Sequence, residues 1–257
     1  MMIFIIPIVI VIIYFYISTN YIRINKINVA SLRKYNLKYI HITDIHGKIR
    51  FINGRLSDLV NKEKPDFVLL TGDMISKLSE LDKVISDLKK IKCRIYIVLG
   101  NYERECYNHG HKESFSLIQI EEAIKSANNL KLLINEDVIE LINGIRICVY
   151  GFDNSSYGNE IYRSSDKKYD YRILLAHSPN IIKLIEDKGI SYNHLLVGHT
   201  HGGQIRLGKI YKNAYSKFHI GDLYDNEGRI FTINKGIGTT RIPLRINATP
   251  EIRCYEI

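Results

Sequence analysis

The stretch Tyr39-Ile40-His41-Ile42-Thr43-Asp44-Ile45-His46 decides how this chain is read. Its first part is aromatic and β-branched, the composition of a buried strand, and it stops at an aspartate and a histidine two positions apart. Four later apolar runs follow the same plan. Asp66–Leu70 leads into Gly72-Asp73, Arg94–Leu99 into Gly100-Asn101, Arg172–Ala176 into His177, and Leu195–Val197 into Gly198-His199-Thr200-His201. Each run delivers a potential metal ligand just past its last apolar residue, and the carboxyl ends of strands are where sites are built in α/β sheets. In extended chain the i, i+2 spacing of Asp44 with His46, and of His199 with His201, would aim each pair to one side.

Pooled, these ends supply two carboxylates (Asp44, Asp73), one amide oxygen (Asn101) and four imidazoles (His46, His177, His199, His201). That is too many ligands for one ion and suits two ions sharing a carboxylate. Mixed oxygen and nitrogen donors favour Mn, Fe, Zn or Ni over Ca or a thiolate-seeking metal. Taken singly the motifs are weak, because Gly-Asp and Gly-Asn usually mark turns and D-x-H and H-x-H recur by chance. Five of them in register with five strand ends are not a coincidence.

Between the strands, Leu78, Leu81, Val84, Ile85 and Leu88 recur at helical spacing, as do Leu117, Ile120, Ile124 and Ala127. Ser178-Pro179 reads as the cap and first turn of a helix running to Lys188. Asn143-Gly144, flanked by Val138–Ile142 and Ile145–Tyr150, is a two-residue hairpin turn. Beyond residue 202 the runs Gln204–Leu207, Arg229–Asn234 and Glu251–Ile257 read as strands. The pattern predicts one layered α/β (α+β) domain over residues 37–257.

The composition agrees. Of 257 residues, 46% are hydrophobic and 25% charged, which excludes disordered and low-complexity architectures and leaves enough chain for a sizeable core. A net charge of +9 favours anionic partners. No aromatic and basic interleaving of a nucleic-acid module accompanies it, so nucleic acid is not the expected partner. Cys93, Cys106, Cys148 and Cys254 are scattered without C-x-x-C spacing; Cys93, Cys148 and Cys254, in or beside apolar strand-like runs, read as small core residues, which fits a reducing compartment. The sequence carries no sign of oligomeric state.

Met1–Ile17 is uncharged and almost wholly apolar. As a helix it would be about 26 Å long, or about 33 Å if continued to Ile22, against roughly 30 Å of bilayer hydrocarbon. Residues 1–22 are therefore expected to be a single-pass membrane anchor and 23–36 a basic linker. A cleaved signal peptide is the competing reading, but the basic n-region and small-x-small cleavage site are missing. Arg23, Lys26, Arg33 and Lys34 after the span place the domain on the cytoplasmic face by positive-inside bias.

The series Asp44-Ile45-His46, Gly72-Asp73, Gly100-Asn101-Tyr102-Glu103, His177 and Gly198-His199-Thr200-His201 resembles the calcineurin-like binuclear metallophosphoesterases, whose D-x-H, G-D, G-N-H-[DE], lone His and G-H-x-H motifs occur in this order. Ala176-His177-Ser178-Pro179, His199–Gln204, Gly236-Ile237-Gly238, Pro243-Leu244-Arg245 and Pro250-Glu251 resemble a membrane-associated bacterial phosphodiesterase branch. The resemblance implies a β-sandwich flanked by helices, here preceded by one N-terminal transmembrane helix. It implies two divalent ions, one held by Asp44, His46, Asp73 and His201 and the other by Asp73, Asn101, His177 and His199. The chemistry it implies is attack of metal-activated hydroxide on a phosphodiester or pyrophosphate. With an anchor, the substrate would be a phosphate-containing small molecule or a lipid-linked one at the membrane. A non-catalytic metal-binding platform and a phosphomonoesterase or phosphoprotein phosphatase would use the same core.

One position departs from the pattern: the family His after Gly-Asn is Tyr102. A phenol, with pKa about 10, can donate a hydrogen bond to a leaving oxygen but has no cationic form. Three readings follow. The substrate has a good leaving group, or His109 or His111 substitutes, or turnover is lost while metal binding stays.

Overall fold

The computed structural model describes residues 2–29, 35–108, 111–114, 116–154, 157–163, 168–206 and 215–257. In chain order it contains α1 (Met2–Asn20), β1 (Arg23–Asn28), β2 (Lys38–Ile42), the short pair β3 (Arg50–Phe51) and β4 (Gly54–Arg55), α2 (Leu56–Glu63), β5 (Phe67–Thr71), α3 (Leu81–Leu88), β6 (Arg94–Val98), the hairpin β7 (Glu105–Asn108) and β8 (His111–Ser114), α4 (Leu117–Lys125) and β9 (Leu130–Leu132). The second half adds β10 (Glu136–Ile142), β11 (Ile145–Gly151), β12 (Tyr171–Leu175), α5 (Ile181–Asp187), β13 (His194–Val197), β14 (Gly221–Tyr224), β15 (Ile230–Ile233) and β16 (Glu251–Glu256).

Two six-stranded sheets carry the fold, one ordered β1-β16-β2-β5-β6-β9 and the other β10-β11-β12-β13-β15-β14. β2, β5, β6 and β9 run parallel, as do β11, β12, β13 and β15. The five ligand-bearing strands therefore end on the carboxyl edges of two parallel blocks. Alternation along the strands explains the layering. Tyr39, Phe67, Leu69, Tyr96 and Val98 of the first sheet meet Ile147, Val149, Tyr171, Ile173, Leu175 and Leu196 of the second, while Ile40, Ile42, Val68, Leu70, Ile95 and Ile97 face α2, α3 and α4. On the far side, Leu174, Leu195 and Val197 pack on Ile181 and Ile185 of α5. Strands covered on both faces read as unbroken apolar runs, which is why they were legible. The Asn143-Gly144 turn forms as expected, with φ of 51° and 82°.

The structure corrects several expectations. Residues 23–28 are not a linker: β1 pairs in parallel with β16 from Arg23↔Glu251 to Asn28↔Glu256. Arg-Ile-Asn-Lys-Ile-Asn is too polar to announce a strand, yet an edge position tolerates that composition. Residues 30–34, with Arg33 and Lys34, lie outside the described residues. The N-terminal helix is present, but among the described residues no helix is long and apolar enough to cross a membrane, so a span at 1–22 is not shown. The fifth helix starts at Ile181 with Asn180 as its N-cap, two residues later than the Ser178-Pro179 signal. Gln204–Leu207 forms no strand within the described residues, only the bridge Ile205↔Ile246.

Candidate metal centre

The strand ends converge through turns rather than through extended chain. Asp44, His46, Asp73, His199 and His201 all have left-handed backbone, with φ between 46° and 69°. The i, i+2 expectation is thus replaced by a different geometry that still brings the side chains together. A left-handed non-glycine residue costs about 1–2 kcal/mol, and five of them in one cluster mark a place held in strain by its surroundings.

Those surroundings are hydrogen bonds between strand ends. The Asp44 and His46 N–H groups donate to the carbonyls of Gly72 and Asp73 (3.0 Å each). Glu103 is fully buried and its carboxylate accepts from the N–H groups of Asp73 (2.8 Å), Met74 (2.6 Å) and Gly100 (2.7 Å), locking the second turn to the third. Burial, together with the neighbouring Asp73 carboxylate, pushes the Glu103 carboxyl up to about 7. Gly100 is glycine because a Cβ there would collide with the Asp73 carboxylate and its backbone nitrogen. The Gly236-Ile237-Gly238 segment, which had no assigned role, backs the first turn. Ile237 N–H and Gly238 N–H donate to the carbonyls of Thr43 (3.2 Å) and Asp44 (2.6 Å), and a Cβ on Gly238 would meet the Asp44 carbonyl at 2.8 Å.

Ligand-type atoms gather in two groups. Asp44, His46, Asp73 and His201 form one, all buried, and Asp73, His177 and His199 the other; within each group one such atom per residue lies within 4.8 Å of the rest. Asp73 belongs to both. Its Oδ1 accepts from Tyr102 N–H (2.9 Å), while Oδ2 faces His177 Nε2 (3.3 Å) and His46 Nε2 (3.6 Å). In the first group His46 Nε2 and His201 Nε2 approach to 3.2 Å, and His201 Nε2 lies 3.5 Å from Asp44 Oδ1. In the second, Asn101 Oδ1 joins at 3.2 Å from His177 Nε2, and His199 Nδ1 at 2.8 Å.

His177 shows how this donor set fits a cation. Its Nδ1 donates to the Thr71 carbonyl (2.8 Å), which leaves Nε2 facing an amide oxygen, a carboxylate oxygen and an imidazole nitrogen. One proton there serves one of the three; a metal ion accommodates all of them. Metal-free electrostatics tell the same story. Burial opposes charge on His177, but Asp73 and Asp44 outweigh it and push the ring up to about 10, whereas burial lowers His46 to about 4 and His199 to about 3. Neutral imidazoles such as His46 and His199 are the form that metals take, and at His177 an ion would displace the Nε2 proton that the carboxylates hold there.

Tyr102 is half-buried and its ring stands edge-on to His46, with centroids 4.9 Å apart. His109 lies outside the described residues, as does the side chain of His111. Two residues at the centre escaped the sequence reading. Tyr215 Oη lies 2.5 Å from His199 Nε2, and nothing in its polar loop pointed to it. Arg245, fully buried, reaches His201; the Pro243-Leu244-Arg245 stretch gives no sign of this, because an arginine reads as surface charge. His41 and His194 lie apart from the centre, between the sheets.

The calcineurin-like phosphoesterase family matches residues 37–203 of this chain. The Bacillus subtilis protein YpbG is 31% identical over 222 residues, 84% of this chain and 78% of its own length. The Escherichia coli phosphodiesterase YaeI is 25% identical over 86% of this chain and 82% of its own length. A Bos taurus transmembrane protein with metallophosphoesterase domain is 26% identical over 84% of this chain, matching 52% of its own length. With this match over most of the domain and a buried Asp and His cluster suited to two divalent metal ions, the chain belongs to the calcineurin-like phosphoesterase family and is a metallophosphoesterase.

Proposed function

We propose that the protein is a membrane-anchored phosphohydrolase that cleaves a phosphodiester or pyrophosphate bond in a phosphate-containing small molecule or lipid-linked substrate. The observation that carries this reading is the pair of ligand groups joined through Asp73 Oδ2. Asp44, His46, Asp73 and His201 would hold one ion, and Asp73, Asn101, His177 and His199 the other. When bound, such a pair supplies a nucleophile from water at neutral pH and neutralises phosphoryl charge.

The protein's own residues do the rest. Thr43 Oγ1 and the His199 N–H donate to Asp44 Oδ2 (2.8 and 3.0 Å), which fixes that carboxylate's orientation. Tyr215 steadies the His199 ring from its far nitrogen. Tyr102, whose ring stands beside His46, would donate its O–H toward a leaving oxygen, which favours substrates whose leaving group needs little acid assistance. Similarity to a phosphodiesterase supports the diester over the monoester.

Anchoring rests on α1 and on the similarity to a transmembrane protein. From Ile6 to Ile17 the helix exposes apolar side chains around its whole circumference, including Ile6, Ile8, Ile10, Ile12 and Ile13, all more than half exposed. A surface of that kind is stable in a lipid phase and not in water. Arg23 and Lys26 just beyond it favour the cytoplasmic face.

The test uses the full chain in detergent micelles, loaded with Mn²⁺, with bis-p-nitrophenyl phosphate and p-nitrophenyl phosphate compared. Chelator-sensitive turnover of the diester above the monoester is expected. Monoester preference would favour a phosphomonoesterase. Two bound ions without turnover of either would favour a metal-binding platform, the reading that Tyr102 keeps open.

A further inference from the structure

Arg245 is among the largest fully buried side chains of the molecule, and among the described residues no carboxylate lies within ion-pairing distance of its guanidinium. A buried cation without a counter-ion is costly unless every donor is used. Here four of the five go to carbonyls. Nε donates to the Gly238 carbonyl (2.8 Å), Nη1 to those of His201 (3.2 Å) and Ala248 (2.9 Å), and Nη2 to that of Lys235 (2.9 Å). The remaining Nη2 N–H faces His201 Nδ1 (3.2 Å), which accepts it in the metal-free tautomer protonated at Nε2. The planar fork thereby ties the turn carrying His201 to the 235–238 segment, whose Gly238 in turn backs Asp44.

The other side of Arg245 meets α1. Its peptide N–H donates to Thr19 Oγ1 (2.9 Å), and Thr19 is itself buried. Lys48, two residues after His46, donates from Nζ to the Thr19 carbonyl (2.6 Å), and Tyr14 Oη donates to Asn247 Oδ1 (3.1 Å). The end of the N-terminal helix thus meets the turn that follows His46 directly and the His201 turn through Arg245, both of the first ligand group. Among the described residues, no hydrogen bond of this kind links α1 to Asn101, His177 or His199 of the second.

We infer that Arg245 is a positioning residue for the first metal position alone, and that the end of α1, through Thr19, is part of what holds it in place. The inference rests on the ligand assignment proposed above. It also gives the N-terminal helix a task in the metal centre that is independent of anchoring.

The asymmetry between the two positions makes the test specific. Full-length wild type, Arg245→Lys and Thr19→Val are titrated with Mn²⁺ in detergent micelles, with ion stoichiometry and electron paramagnetic resonance as readouts and circular dichroism as the check on folding. Wild type is expected to bind two ions and give a spin-coupled spectrum. Arg245→Lys keeps the charge but not the fork; it should lose about 10- to 100-fold in affinity for one ion, the scale on which partners of ligands act, and show an isolated-ion spectrum at one bound ion. The second affinity should stay within about twofold in the same titration. Thr19→Val should shift the same affinity in the same direction by less, and it decides the question if Arg245→Lys does not fold. Wild-type affinities in both variants, or equal loss at both positions, would overturn the inference. Wild type that binds no metal would instead overturn the ligand assignment itself.

Discussion

Two sets of buried histidines share this sandwich and behave as opposites. His41 and His194 lie between the sheets on regular strand backbone, and their partners are mainly hydroxyls. His194 has Tyr39 Oη at 2.6 Å and Thr232 Oγ1 at 2.7 Å, and His41 has Thr71 Oγ1 at 2.8 Å. A hydroxyl gives or takes a proton as its neighbour requires, so such a ring is complete without any added group. His46, His177, His199 and His201 face carboxylates, an amide oxygen and one another, and three of the four sit on turns, His46, His199 and His201 in left-handed backbone. Burial does not separate the sets, since His46, His177 and His201 are buried like His41 and His194 and His199 alone of the six is half-buried. What separates them is an excess of lone pairs, and with it a strained backbone.

Asp73→Asn tests the comparison most severely. The amide keeps an oxygen for Tyr102 N–H but removes the charge shared by both ligand groups, so turnover should fall by at least about 10²- to 10³-fold while the fold survives. Metal analysis and diester hydrolysis on one preparation check it. Wild-type metal content would place the shared carboxylate elsewhere.

Tyr102→His comes next. An imidazole beside His46 supplies the acid that a phenol lacks, so hydrolysis of a diester with an alkyl leaving group should rise by about 10²-fold. Bis-p-nitrophenyl phosphate, whose leaving group needs no proton, should change little. Equal gains on both substrates would argue against leaving-group protonation.

His194→Leu probes the other set. It removes one partner each from the buried Tyr39 and Thr232 hydroxyls, which keep Tyr171 for the first and Asp222 and Tyr255 for the second. The two lost hydrogen bonds should cost about 1–3 kcal/mol of stability, read from denaturant melts. Metal content should not move; a loss of ions would erase the distinction drawn between the two sets. The last change is Gly238→Ala. The added methyl would collide with the Ile45 carbonyl and meet that of Asp44 at 2.8 Å, so the backbone of the first turn must shift. The first ligand group should loosen by about tenfold in metal affinity, with a lower melting temperature of the chelated protein.

Much of this was readable in advance, for physical reasons. Lys38–Ile42, Phe67–Thr71 and Tyr171–Leu175 are covered on both faces, so their apolar runs are unbroken and their ends are easy to find. β1 hid because an edge strand can be polar. The turn geometry hid because left-handed aspartate and histidine have no sequence mark of their own, and D-x-H reads equally well as extended chain. Arg245 and Tyr215 hid for a third reason: their roles come from chain segments far apart in sequence, joined only when the sandwich closes.

The gap between α1 and β1 is only Tyr21 and Ile22, with Ile22 buried, and Arg23 is already paired with Glu251. A flexible connection of the length first expected would let the domain wander by about 20 Å from its point of attachment. The observed junction permits almost no wandering. Whatever medium α1 occupies, the hydrogen bonds with Lys48, Arg245 and Asn247 hold the domain against its end. Under the proposed anchoring, a substrate that partitions into the same layer would meet the site far more often than its bulk concentration suggests.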